Sequence, residues 1–78
     1  MDILKWGYMR RGQRKAVFDK YPNTTVIFRR VRGYFLVYSI GWNEKDGVVD
    51  RSDIEQMEIL LNNELGLLGN YKERGGRI

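Results

Sequence analysis

Apolar and polar positions along this chain change their period several times, and each change predicts an element. Residues 2–9 (Asp-Ile-Leu-Lys-Trp-Gly-Tyr-Met) alternate weakly, which sets Leu4, Trp6 and Tyr8 on one side of an extended segment. Gly7 argues against a helix there, so a short strand or ordered arm is expected. Residues 12–21 place Val17, Phe18 and Tyr21 on one side of a short helix that Pro22 must end. The clearest pattern is Thr24–Trp42, two β-rich runs around Arg32-Gly33. Gly33 at the second turn position suits a tight hairpin, and Val31 paired with Tyr34 sets its register.

That register puts Val26, Phe28, Phe35 and Val37 on one face, with Arg30 near the turn. Ile27, Val31, Tyr34, Leu36, Tyr38 and Ile40 fall on the other, with Arg29 among them. Both faces are apolar, so something should cover each. Asp46-Gly47 predicts a second turn, and Val48-Val49-Asp50 a short third strand. Ser52-Asp53-Ile54-Glu55 reads as a capping box opening a helix that runs to about Leu65. Ile54, Met57, Leu61, Leu65 and Leu68 form its apolar stripe.

The expected order is α-β-β-β-α, an α+β fold. It has a small three-stranded antiparallel sheet, one N-terminal and one C-terminal helix, and residues 2–9 available as a fourth, N-terminal strand. Residues 1–68 form the single domain and residues 69–78 a flexible C-terminal tail.

Composition bounds what this domain can do. The 78 residues are 42% hydrophobic and include ten aromatics, too apolar for disorder. A chain this short buries only roughly 60% of its unfolded surface, which makes dimerisation a plausible source of added stability. The absence of Cys and His removes thiol nucleophiles, disulfides, zinc sites with N/S ligands and imidazole acid–base chemistry. No cofactor and no metal is expected, and no enzymatic activity. No apolar run approaches the ~20 residues of a membrane span, and no signal-peptide block opens the chain, so a cytoplasmic protein is the simplest expectation.

Charge sharpens the picture because it is divided. Residues 1–39 carry nine Lys/Arg against two Asp, a net +7, whereas residues 40–78 carry five against eight carboxylates, a net −3. Arg29, Arg30 and Arg32 crowd the hairpin tip, and Arg10, Arg11, Arg14 and Lys15 precede it. Arginine outnumbers lysine nine to five. Guanidinium binds phosphate through paired hydrogen bonds and stacks on bases, which suits nucleic acid. Tyr34, Tyr38 and Trp42 are the candidates for stacking.

Other constellations are weaker. Glu44, Asp46, Asp50, Asp53, Glu55 and Glu58 cluster in sequence. As an EF-hand loop with Gly47 at its sixth position, they put Trp42 where the first Asp belongs. They suit repulsion of a polyanion or docking of a basic protein instead. Arg74-Gly-Gly-Arg77 resembles a single copy of an RNA-binding glycine/arginine tail. Ile59, with Leu60, lies off the apolar stripe and marks a candidate protein interface.

The α-β-β-β-α order resembles that of double-stranded RNA-binding domains, although the last helix here opens with Asp-Ile-Glu-Gln-Met-Glu rather than basic residues. Over residues 24–66, strands followed by a helix are similar in topology to sheet-type DNA readers of plant transcription factors and integrase arm-binding domains. No functional residue carries over from either. The expectation is a small non-enzymatic nucleic-acid-binding or regulatory protein whose arginines meet the phosphate backbone. The alternative is a small inhibitor or adaptor of the phage or mobile-element type that binds a host protein; self-association as a homodimer fits either.

Overall fold

In the computed structural model, which describes residues 1–74, an antiparallel meander is followed by two helices. The strands are β1 (Ile3–Tyr8), β2 (Arg14–Phe18), β3 (Tyr21–Val31) and β4 (Tyr34–Gly41), hydrogen-bonded in chain order. A single 3-10 turn (Arg10–Gly12) joins β1 to β2. The helices are α1 (Arg51–Glu64) and α2 (Leu68–Glu73). The fold is therefore α+β, with the fourth strand at the N-terminus.

Several expectations change. Residues 14–18 are a strand, not a helix: Ala16 and Phe18 alternate into the core while Lys15 points out. Pro22 sits where the β2–β3 register shifts, an irregular stretch that tolerates its missing N–H. Val48–Asp50 is not a strand, although Val49 is buried as a plug beneath α1. The α-β-β-β-α likeness to double-stranded RNA-binding domains goes with the lost helix. Residues 69–73, expected as tail, belong to α2, and residues 75–78 with the Arg74-Gly-Gly-Arg77 motif extend outside the described residues.

The core lies on one sheet face. Cross-strand rows Trp6–Ala16–Val26–Ile40 and Tyr8–Arg14–Phe28–Val37 share that face. Phe18, Val26, Phe28, Phe35, Met57 and Leu61 are fully buried in one cluster with it. Of the expected stripe, Met57 and Leu61 are buried in the cluster and Ile54 and Leu65 pack against it, whereas Leu68 belongs to α2 and is not part of the cluster. Ile40 was assigned to the opposite face. A β-bulge at Tyr38, where Ile27 pairs with Ser39 but Phe28 with Val37, turns it inward. The helix starts at Asp50 with no side-chain cap, so the Ser52–Glu55 box is not formed.

Polar contacts tie the layers together. Asn62 is fully buried and closes the outer edge of β4: its Oδ1 accepts from Phe35 N at 2.8 Å, and its Nδ2 donates to Phe35 O at 2.9 Å. Glu58 Oε2 accepts from Val37 N at 2.9 Å, while Oε1 accepts from the Tyr71 hydroxyl at 2.7 Å. Burial, then this carboxylate, pushes the Tyr71 phenol well above its ordinary range. Asn70 Nδ2 donates to Gly33 O at 3.0 Å, and a Cβ on Gly33 would lie 2.8 Å from that nitrogen. A side chain at 33 would therefore displace the Asn70 amide, the movable end of an exposed side chain. The positive φ of the turn is carried by Arg32 instead, at 61°.

At the opposite end of the sheet, Lys20 Nζ lies 2.8 Å from Asp53 Oδ2, which also accepts from the Tyr21 hydroxyl at 2.5 Å. The Lys20 ammonium, with help from the Tyr21 hydroxyl, holds the Asp53 carboxyl below the usual range against the effect of partial burial. A depressed carboxylate supplies stability above its unfolded pKa and loses it as pH falls through the folded value. Asp53→Asn is therefore expected to be less stable than wild type at neutral pH. The gap should close as pH falls below about 4, the ordinary carboxylate value. Urea midpoints measured at neutral and acid pH check this; a constant gap would show that the pair carries no pH dependence.

Candidate nucleic-acid interface

In a four-strand meander the β1–β2 and β3–β4 connections fall at the same end of the sheet. The two tips are two strand spacings apart, about 10 Å. Arg10 and Arg11 occupy the first tip, and Arg30 and Arg32 the second. All four are exposed. Among the described residues the only ion pair is Lys20–Asp53, so none of these guanidiniums is neutralised by a carboxylate. The α2 helix, anchored on the second tip through Asn70, adds Lys72 and Arg74. A cleft of about 480 Å3 between that tip and α2 is lined by Arg32, Tyr34, Glu73 and Arg74.

Backbone geometry at both tips is unusual. Arg11 and Arg32 each hold φ of 61° and are the non-glycine residues with positive φ among those described. Each costs about 1 kcal/mol relative to glycine in that conformation. The Arg32 carbonyl also accepts from Arg30 Nε at 3.1 Å, which fixes Arg30 against its own turn.

The open sheet face continues the basic surface. Its rows are Gly7–Lys15–Ile27–Ser39, Lys5–Val17 and Arg29–Leu36. Lys5, Lys15 and Arg29 are exposed, and no carboxylate stands in these rows. The Lys15 stem lies across Gly7, with its Cε 3.8 Å from where a Cβ would be. Arg29 places its guanidinium 5.5 Å from the Tyr38 ring centre, and that ring is 59% exposed.

Four sequence candidates find other surroundings. Arg14 faces the core side, its guanidinium 4.1 Å over Tyr8 and 5.1 Å from Phe35, donating to Gly12 O and Gln13 O. It braces the first tip from within rather than lying with the exposed group. Tyr34 packs edge-on against Tyr71, ring centres 6.2 Å apart, which leaves Tyr38 and Trp42 as the exposed aromatics of the stacking set. Leu60 packs on the core, and Ile59 is half-buried. Sequence reasoning passed over Lys5 and Lys72. Lys5 could have been found from its odd-numbered alternation with Gly7; Lys72 depends on an α2 helix that composition hides.

Acidic groups gather at the other end, and several are occupied structurally. Asp46 accepts from Thr24 Oγ1 at 2.7 Å, Asn23 N at 2.8 Å and Asn23 Nδ2 at 3.0 Å. Partial burial works to raise its carboxyl, but the hydrogen bonds from Thr24 and Asn23 outweigh it and the pKa is lowered. Asp2 and Asp19 bracket the start of β1 and the end of β2, joined through Asp2 N and Asp19 Oδ1 at 2.9 Å. The chain is thus electrically polar along its strands, basic at the hairpin tips and acidic at the opposite end. No group of three or more His, Cys, Asp or Glu among the described residues could hold a metal ion, and no described helix is long and apolar enough to cross a membrane.

No curated protein and no solved structure matches the chain. The family model described as uncharacterised protein YuzH matches residues 2–76, nearly the whole length, and the chain belongs to that family.

Proposed function

We propose that this chain is a small nucleic-acid-binding protein that grips phosphates with the arginines of its two hairpin tips and with the lysines of its open sheet face. The observation that carries the reading is the meeting of Arg10, Arg11, Arg30 and Arg32 at one end of the sheet, with no carboxylate bonded to them. The two left-handed arginines add support, because strain of this kind persists where function requires the side chain. The acidic end keeps a polyanion oriented toward the tips. Arg29 stacked on exposed Tyr38 offers a platform for an unpaired base.

Binding to random-sequence duplex DNA and single-stranded RNA across a salt series tests the reading. Four phosphate contacts at the tips, one each from Arg10, Arg11, Arg30 and Arg32, contribute a slope of log K against log salt of about −3.6 on duplex and about −2.8 on a single strand. Alanine at all four should flatten the slope and abolish detectable binding near physiological salt. Absence of binding by the wild type at low salt rejects the function, and a slope indifferent to the four substitutions rejects the surface.

A further inference from the structure

The two outer edges of the sheet are treated differently. The β4 edge is closed by Asn62 on Phe35 and Glu58 on Val37. The β1 edge has no such cover. Met9 N donates to Gln13 O at 2.9 Å, so Gly7 and Lys5, two and four residues back, bond toward β2. The N–H and C=O groups of Trp6 and Tyr8 therefore point out of the sheet. An uncovered edge is a template for another strand, and folded proteins ordinarily block it with charge, proline or a covering element. Here the strand carries one charge, exposed Lys5, and a bulge between Ile3 and Lys5, and is otherwise apolar. Leu4 at 57% exposed, Tyr8 at 73% and Met9 at 38% are half of the large exposed hydrophobics among the described residues.

We propose that the chain forms a homodimer through β1, antiparallel strand against strand about a two-fold axis at Trp6, joining two four-stranded sheets into one. Charge selects this occupant and this orientation. Each chain is basic at its hairpin tips and acidic at the other end, so an antiparallel pair sets the basic end of one copy beside the acidic end of the other. With Trp6 opposite Trp6, Lys5 meets Gly7 of the second copy instead of another lysine, Leu4, at the bulge between Ile3 and Lys5, falls nearest Tyr8, and Asp2 lies toward Arg10. Apolar residues meet apolar residues, and no like charges face each other across the seam. A parallel pair would align like ends. The dimer stands independently of the nucleic-acid reading, since its test measures mass in the absence of any polyanion.

Sedimentation equilibrium of nuclease-treated protein over a micromolar-to-millimolar series is expected to move from the 9.3 kDa chain mass to twice that value. Leu4→Lys with Tyr8→Lys should remove the dimer over the same range. Because the chain has no native cysteine, register can be read directly. Leu4→Cys mixed with Tyr8→Cys should cross-link under oxidation. Leu4→Cys alone should not, its two thiols lying about 13 Å apart along the seam. A mass fixed at the monomer throughout overturns the proposal. Equal cross-linking in Leu4→Cys alone overturns the antiparallel register, and with it the proposal.

Discussion

Replacing Asn62 with leucine is expected to lower the thermal midpoint by about 12–24 °C, corresponding to about 3 kcal/mol in a domain of this size. The substitution keeps the branching at Cγ and gains apolar character, so a simple burial count would forecast stabilisation. The hydrogen bonds decide otherwise. Asn62 meets both outward-facing backbone groups of Phe35 and also donates to Glu58 O at 2.8 Å. Leucine leaves the Phe35 N–H and C=O buried with no partner, at about 1–3 kcal/mol each. Against a net stability of about 5 kcal/mol for a small domain, the loss is severe. Circular dichroism melts measure it, and light scattering reports a second consequence. With the Phe35 end of β4 no longer closed, and only Glu58 on Val37 left, that edge becomes a partial strand template and the variant should associate irregularly. A melt unchanged from wild type would show that α1 holds the sheet by its apolar stripe alone.

That a buried asparagine secures the Phe35 end of the sheet edge illustrates what could be read in the chain and what could not. The Val31–Tyr34 register and the Met57–Leu61 stripe are local patterns, set by alternation and by helical spacing, and both stand in the structure. Local pattern favours a helix over residues 12–21 because Val17, Phe18 and Tyr21 also satisfy a helical spacing and Pro22 supplies a stop, yet Arg14–Phe18 is a strand. Its strand character is confirmed only by pairing with both neighbours, which no window of ten residues contains. The difference matters for the site. With a helix in that position the two arginine groups have no defined relation; with a strand there, the meander brings both tips to one end. Arg14 turned inward for the same reason, since a first strand residue in register with Phe28 must share its face. Gly33 reads as a turn residue, whereas in the structure its carbonyl also holds the amide of Asn70, thirty-seven residues away. The Asn62 contacts are long-range in the same way: nothing in Leu-Leu-Asn-Asn announces an amide that completes a strand.

Glycine at both left-handed positions, Arg11→Gly with Arg32→Gly, is expected to raise stability while weakening nucleic-acid binding, an opposition that ordinary damage to the fold cannot produce. Each arginine sits at φ of 61°, and glycine occupies that region without the Cβ clash. Relief of about 1 kcal/mol per site corresponds to a rise of about 4–8 °C in the thermal midpoint for each substitution. Neither side chain makes an ion pair whose loss would offset the gain. Binding should move the other way. Two phosphate contacts fewer reduce the salt slope by about 1.8 on duplex DNA or about 1.4 on a single strand. Arg11→Ala with Arg32→Ala separates the two effects, because it removes the same charge but keeps the strain. It should share the reduced slope and show no gain in midpoint. If glycine raises the midpoint and leaves the slope where it was, the strained arginines serve something other than phosphate, and the tips lose their claim to the binding surface.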